Sequence, residues 1–117
     1  MTTHVRICAD SEPARENADR IVSFFFQVLS ARGAGRAEDF LAADFLDHDP
    51  APGAPCDREG VAQKLDALWA AFPDGHFDLC EVIAAGDRVA ARSLFRGTHR
   101  GTFLGMAASG HVVHVSF

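Results

Sequence analysis

Four side chains of this 117-residue chain are candidates for acid/base chemistry: His48, Asp49, Glu81 and His99. His48 and Asp49 are neighbours in the run Asp-Phe-Leu-Asp-His-Asp-Pro at residues 44–50. A histidine beside a carboxylate can orient a ligand or move a proton between groups. The same pair could equally form a surface turn in which Asp49 caps backbone groups.

Glu81 and His99 each have a functional and a purely structural interpretation. Glu81 is the one charged residue on the predicted strand face of Phe77, Leu79 and Ile83. A carboxylate buried on that face is costly unless it is paired, so a buried Glu81 would be a functional acid. A small bulge or a partly open face would instead leave it in water. His99 stands where a predicted strand meets a loop, and is either a ligand contact or a solvated strand-end histidine.

The candidates for ligand binding are two arginines and a set of large apolar side chains. Arg92 and Arg96 share one face of a predicted strand and could hold a carboxylate or a phosphate. Arginines so placed could also solvate an outer face or a dimer interface. The apolar candidates, which could equally be plain core, are Trp69, Phe72, Phe95, Phe103 and Met106.

The histidines and cysteines do not predict a metal site. His111 and His114 lie three apart on a predicted strand, so their rings point to opposite faces. Cys8, Cys56 and Cys80 are widely spaced and form no Cys-x-x-Cys pair, so reduced thiols are expected. No Gly-x-Ser-x-Gly run marks a serine nucleophile. We expect neither a metal nor covalent serine catalysis.

Composition predicts a single globular domain over residues 1–117. Hydrophobic residues make up 48% and charged residues 23% of the chain, which is enough apolar material for a core. The net charge of −5 is opposite to that of a nucleic-acid-binding face. The longest apolar run, residues 21–29, is far shorter than the roughly 20 residues that span a bilayer. We predict a cytoplasmic protein that binds neither nucleic acid nor membrane.

Three helices are predicted to follow a loose arm over residues 1–10. The first has Ser11 as its N-cap and carries apolar residues at helical spacing over residues 21–29, after which Gly33 and Gly35 end it. The second is short, over residues 37–43. The third begins after an Asp57 cap and ends before a proline.

After the third helix the hydrophobic period changes from 3.6 to about two, which predicts strands. Residues 77–83 and 88–98 form a predicted hairpin around Gly86-Asp87, and residues 111–117 form a third strand. This order predicts an α+β fold with helices on one face of a curved antiparallel sheet and a pocket on the closed side. Because the last strand stops in mid-pattern, an unpaired edge is expected, and hence a homodimer formed either sheet against sheet or by exchange of strands.

Several stretches resemble the SnoaL-like polyketide cyclase (ester cyclase) family of the nuclear transport factor 2-like superfamily. They are residues 44–50, Ala-Phe-Pro-Asp at 71–74, and the run 83–92 leading to residues 95–106. The most specific motif is Gly-Thr-His-x-Gly-x-Phe-x-Gly, which lies in the last of these. The resemblance covers roughly residues 15–117.

The resemblance implies a cone-shaped cavity that binds a small, largely apolar molecule. In the cyclases this molecule is a polyketide ester, closed by aldol chemistry without a metal or organic cofactor. The family pattern continues past Phe117 with a strand bearing the acid/base Asp and a supporting His, so this C-terminus is expected to be shortened. An enzyme would then be a cofactor-independent cyclase, isomerase or hydrolase that recruits His48, Asp49 or Glu81. The alternative is a non-catalytic binding or dimerisation module.

Overall fold

The computed structural model describes residues 5–29 and 36–117 as an α+β fold. Its elements in chain order are β1 (Arg6–Ala9), α1 (Glu12–Phe24), α2 (Arg58–Ala71), β2 (His76–Ala85), β3 (Arg88–Thr98) and β4 (Val112–Ser116). The strands form one sheet in the order β1-β2-β3-β4, which is antiparallel except that β1 runs parallel to β2. The helices pack on one face of this sheet, so the predicted fold class is confirmed.

Helix α1 begins where its sequence predicts. Ser11 is the N-cap, and its side chain accepts a hydrogen bond of 3.2 Å from the backbone N–H of Ala14. Ala14 and Ala18 are completely buried in one cluster with Val82 of β2. Small side chains on this face allow the helix to approach the sheet closely. The helix then continues as a π-helical turn, Phe25–Leu29.

Helix α2 also begins at its predicted cap, because the Asp57 side chain accepts a hydrogen bond of 3.1 Å from the N–H of Gly60. The helix ends at Ala71, before the proline at residue 73. Gly60 lies against the backbone of the preceding loop, where an added Cβ would overlap the Pro55 carbonyl oxygen. The loop can therefore fold back over the first turn of α2 only because residue 60 has no side chain.

A β-bulge in β2 changes which residues of that strand face the helices. The pairing with β3 shifts register between Leu79 and Glu81, so Cys80 is the extra residue. After it, Val82 is fully buried and Ile83 is 50% exposed. The regular alternation that placed Glu81 and Ile83 on the same face as Leu79 is therefore wrong. The bulge, which was the structural alternative for Glu81, is confirmed.

The N-terminal segment differs from the prediction of a loose arm over residues 1–10. Arg6–Ala9 form β1, which pairs with β2 so that Arg6 lies opposite Glu81. This parallel edge strand makes the sheet mixed rather than purely antiparallel. A strand of four residues is too short for hydrophobic periodicity to reveal it, and it forms here because β2 offers a partner.

The short second helix is smaller than expected. The predicted span of residues 37–43 contains a single 3₁₀ turn, Ala37–Asp39. Gly33 and Gly35, predicted to end the first helix, lie outside the described residues. Within the described part of the chain, no helix is long and apolar enough to cross a membrane.

Candidate functional site

A cavity of about 680 Å³ opens beside α2 and the 3₁₀ turn. Its apolar lining comes from Val28, Leu65, Trp69 and three alanines. Its charged lining residues are Arg36, Glu38, Asp57, Arg58, Glu59 and Asp66. The volume is that of a site for a small molecule, with an apolar wall and polar groups around it.

One face of α2 supplies the wall of this cavity. Ala62, Leu65, Asp66 and Trp69 follow the helical spacing i, i+3, i+4 and i+7, so their side chains share that face. The ring of Trp69 stands edge-to-face on Phe77, with ring centroids 6.1 Å apart. Trp69 therefore lines a cavity, and its contact with a ligand stays a prediction. Leu65 and Asp66 were missed, although their spacing from Trp69 could have identified them.

Some of the charged groups that line the cavity form ion pairs or hydrogen bonds within the protein. Arg36 forms an ion pair with Glu38. Arg58 donates hydrogen bonds from Nη1 to the carbonyl oxygens of Glu38 at 3.3 Å and Leu41 at 3.2 Å, which ties α2 to the 3₁₀ segment. Four carboxylates and two guanidinium groups line the cavity, so its charge is net negative. This balance disfavours an anionic ligand.

His99 is buried, so its interpretation as a solvated strand-end histidine is wrong. The residue is 8% exposed, and its ring stacks on Phe72 with centroids 5.4 Å apart and planes at 26°. Nδ1 lies 3.1 Å from Oγ of Ser109. Nε2 is buried and has no hydrogen-bond partner among the described residues.

Three of the predicted apolar contacts form an aromatic cluster around Phe72. The Phe95 ring lies 5.3 Å and the Phe103 ring 5.5 Å from it, both edge-to-face. Gly97 leaves room for the Phe72 side chain, because residue 97 has no Cβ atom. A Cβ at this position would lie 3.1 Å from the Cβ of Phe72. Phe72 and Phe95 are buried core residues, and the cluster does not line the cavity.

Met106 stands on a tight turn of the loop between β3 and β4, and its side chain is exposed. It is 59% exposed and exchanges two backbone hydrogen bonds of 2.9 Å with Phe103. The two residues between them, Leu104 and Gly105, both have positive φ, at 49° and 79°. This is the backbone of a primed turn, in which leucine is strained and glycine is not.

His48 and Asp49 are exposed on a turn that Asp47 organises. Asp47 accepts hydrogen bonds of 2.9 Å from the N–H of Asp49 and from Nζ of Lys64, which also bonds the Asp49 carbonyl oxygen at 3.0 Å. These contacts, the Asp49 N–H first and Lys64 second, lower the pKa of Asp47 below its usual value. The structure therefore shows a surface turn here, but its capping carboxylate is Asp47 and not Asp49. A role of His48 and Asp49 in acid/base chemistry stays a prediction.

Glu81 lies on the outer face of the sheet, in an ion-pair ladder across three strands. Its carboxylate is 3.6 Å from Nη1 of Arg6 and 3.8 Å from Nε of Arg92. The three side chains line a second cavity of about 610 Å³ at the bulge. Arg96 is exposed and does not line this cavity. The structure therefore brings Glu81 and Arg92 together, but away from Trp69 and His99.

The Ala-Phe-Pro-Asp motif holds the end of α2 to the end of β3. Asp74 accepts hydrogen bonds from the backbone N–H of Thr98 at 2.8 Å and from its hydroxyl at 2.7 Å. These two bonds, the backbone one first, lower the pKa of Asp74 below its usual value of 3.8. The motif therefore has a structural role next to His99, since it joins the end of α2 to the end of β3.

We expect Asp74→Asn to lower the free energy of unfolding at pH 7, because the ionised carboxylate is the form that Thr98 stabilises. A depressed folded pKa contributes stability above the unfolded value, and this contribution disappears as the pH falls through the folded value. The deficit of the variant should therefore shrink below about pH 3.8. Urea unfolding from pH 7 to pH 2 measures it, with Asp66→Asn as the control. A deficit that is constant with pH would contradict the expectation.

Comparisons with known proteins agree with this architecture. The family model of the SnoaL-like polyketide cyclases matches residues 19–117. A proposed SnoaL-like polyketide cyclase from Jannaschia sp. CCS1 superposes with a TM-score of 0.73 at 21% identity, over 91% of this chain and 75% of that one. No curated protein matches the chain significantly.

Two further solved structures are similar, and their names refer to different reactions. AclR, a proposed hydroxylase from Streptomyces galilaeus, gives a TM-score of 0.72 at 18% identity, over 88% of this chain and 75% of that one. IdmH, a proposed polyketide cyclase from Streptomyces antibioticus, gives 0.67 at 25% identity, over 84% and 76%. The shared fold therefore does not by itself choose a reaction.

Proposed function

Because the chain belongs to the SnoaL-like polyketide cyclase family, we propose that it binds a small, uncharged, polyketide-like molecule in the cavity beside Trp69. The observation that carries this proposal is the apolar wall of Trp69 and Leu65 in a cavity of about 680 Å³. A cavity of this volume, in which an apolar wall faces charged groups, can hold a small organic molecule that has both apolar and polar parts.

The charge of the cavity supports an ester rather than a free acid as ligand. The lining carries two more carboxylates than guanidinium groups, and Arg36 is already paired with Glu38. A ligand carboxylate would lose hydration on entering and would meet like charges. An ester of the same skeleton avoids both costs.

We expect methyl anthraquinone-2-carboxylate to bind at least about tenfold more tightly than the free acid, anthraquinone-2-carboxylate, which corresponds to about 1.4 kcal/mol. Emission of Trp69, the single tryptophan of the chain, reports directly on this cavity. Titration at pH 7 measures both affinities, and ligand-dependent thermal stability provides an independent readout. Trp69→Phe controls for signals that arise elsewhere. No response of either readout to the ester would overturn the proposal.

The activity that fits the family is acid/base proton transfer at a carbon beside a carbonyl, without a cofactor. Among the candidates, His99 is buried in an aromatic cluster, whereas His48 and Asp49 are exposed and Glu81 is ion-paired on the outer face. None of these four residues lines the cavity beside Trp69. Catalysis by His99 therefore requires the reacting carbon to reach the aromatic cluster, and in that case His99→Ala should lower turnover of a polyketide ester by about 10²-fold or more. If the wild-type chain binds the ester but does not turn it over, the alternative is favoured, which is a non-catalytic binding or dimerisation module.

Association of two copies through the outer face of the sheet belongs to the same proposal. This face exposes Ile83, Leu94 and Val112, each about half accessible. It also carries both Glu81 and Arg92, so a two-fold arrangement can set opposite charges against each other. Light scattering at tens of micromolar should give twice the chain mass, and a monomer mass would exclude the dimer. A cytoplasmic location stays a prediction.

A further inference from the structure

Strand β4 is an edge of the sheet in the part of the chain that the structure describes. It pairs with β3 in a regular register and has no described strand on its other side. It contains no proline, lysine, arginine or acidic residue, whereas natural edge strands are commonly protected by such residues or by being short. The opposite edge, β1, has only four residues and carries Arg6. Of these two edges, β4 is therefore the one that is open to a further strand.

The pairing of β4 with β3 determines which backbone groups of β4 face this open side. Phe117 exchanges two backbone hydrogen bonds, of 2.8 and 3.0 Å, with Ser93. The C=O of His111 accepts a hydrogen bond of 2.9 Å from the N–H of His99. In an antiparallel pair of constant register, such positions alternate with positions whose N–H and C=O point away from the partner strand. The backbone groups that face the open side are therefore those of Val112, His114 and Ser116.

The side chains beside this open edge differ between the two faces of the sheet. On the inner face, which the helices cover, Val115 lies opposite the buried Phe95. Val115 and Phe117 are still 37% and 65% exposed there. On the outer face, the exposed His114 lies opposite the exposed Arg96. Arg96 forms no ion pair among the described residues. An added strand would thus meet apolar side chains on one face and basic side chains on the other.

We propose that β4 binds an extended peptide as an additional strand, and that this peptide alternates acidic and apolar side chains. Its backbone hydrogen-bonds to the groups of residues 112, 114 and 116 that face the open side. The peptide side chain next to His114 lies on the outer face, where a carboxylate meets Arg96. The neighbouring peptide side chains lie on the inner face and cover Val115 and Phe117.

The outer face already contains one ion-pair ladder of the kind that this proposal requires. There Glu81 of β2 pairs with an arginine on each neighbouring strand. The proposed contact repeats this arrangement with Arg96 and a carboxylate of the peptide. The inference goes beyond the proposed function and does not rest on it, because none of the β4 residues and neither arginine nor histidine of this edge lines the cavity beside Trp69.

The fluorescein-labelled peptide Val-Thr-Val-Glu-Val-Thr-Val tests the proposal on the full chain. We expect fluorescence anisotropy at pH 7 to show saturable binding, and binding about fivefold weaker when lysine replaces the glutamate. Arg96→Glu should reverse this preference. Arg88→Glu makes the same change of charge at the exposed far end of β3 and should leave the preference unchanged.

Methylation of single backbone nitrogens of the peptide tests the strand pairing while the protein stays unchanged. The N–H of the glutamate faces β4, so its methylation should weaken binding at least about tenfold. The N–H of the next valine points away from β4, and its methylation should change the affinity by less than about twofold.

Proline substitutions in β4 test the same alternation from the side of the protein. His114→Pro removes an N–H that faces the peptide and none that faces β3, so it should weaken peptide binding at least about tenfold and leave the chain folded. Val115→Pro removes an N–H that faces β3, and should lower the Tm more than His114→Pro does. If His114→Pro does not fold, the two methylated peptides decide.

The outcomes separate this proposal from other uses of the edge. Absence of binding by the glutamate peptide, or equal affinities of the two methylated peptides, would overturn strand addition. Equal affinities of the glutamate and lysine peptides would overturn the acidic preference. If light scattering without peptide shows that His114→Pro halves the mass of the particle, a second copy of the chain occupies the edge and the peptide proposal is overturned. None of these readouts involves the ligand of the Trp69 cavity.

Discussion

Phe72→Ala is expected to lower the free energy of unfolding by about 3–5 kcal/mol, the range for removing a buried phenylalanine. Phe72 is 5% exposed and touches three rings at once. Centroid distances of 5.3, 5.4 and 5.5 Å join it to Phe95, His99 and Phe103. The substitution removes apolar burial, leaves a cavity and deletes these ring contacts together.

Urea unfolding followed by circular dichroism measures this loss. Phe26→Ala is the matched control, because Phe26 is 44% exposed and its removal should cost only about 0.5 kcal/mol. Phe72→Leu should fall between the two. Equal losses for Phe72→Ala and Phe26→Ala would show that the Phe72 cluster does not form as described.

Gly60→Ala is expected to lower the free energy of unfolding by about 1–3 kcal/mol, the usual cost of forcing extra volume into a packed site. Helix propensity alone predicts the opposite sign, since alanine is favoured over glycine by about 1 kcal/mol inside a helix. Here the added methyl group would overlap the Pro55 carbonyl oxygen, which is backbone and cannot rotate away. The first turn of α2 and the preceding loop would have to separate.

Thermal unfolding of Gly60→Ala compares the two effects directly. Glu59→Ala, one position earlier on the same turn and exposed, should change stability by no more than about 0.5 kcal/mol. Separation of the loop from the first turn of α2 should also widen the cavity, because Asp57, Arg58 and Glu59 line it. If Gly60→Ala is more stable than the wild type, helix propensity outweighs the steric overlap, and the loop does not lie against the helix.

The candidate site could be predicted only where it lies on one regular element. Trp69 was predicted from the apolar pattern of α2, and the same spacing could have added Leu65 and Asp66. Arg36 and Glu38 could not be predicted as cavity residues. Glu38 lies in the 3₁₀ turn and Arg36 directly before it, and so short a turn has no sequence period. Sites assembled from several elements depend on how the chain folds back on itself.

The family and the starts of both α-helices could be predicted from the sequence alone. The family expected from the run of residues 95–106 is confirmed by the match over residues 19–117. Ser11 and Asp57 marked both helix starts because their short side chains satisfy N–H groups that a helix leaves free. These signals are local, so they can be read without knowing any tertiary contact.

The environment of the titratable side chains could not be predicted from the sequence. One extra residue at Cys80 reverses every side chain that follows it in β2, and so moves Glu81 from the helix-facing side to an ion pair with Arg6 and Arg92. His99 is buried because Phe72, at the end of a distant helix, stacks on it. Burial and ion pairing are set by neighbours remote in sequence, which no local pattern encodes.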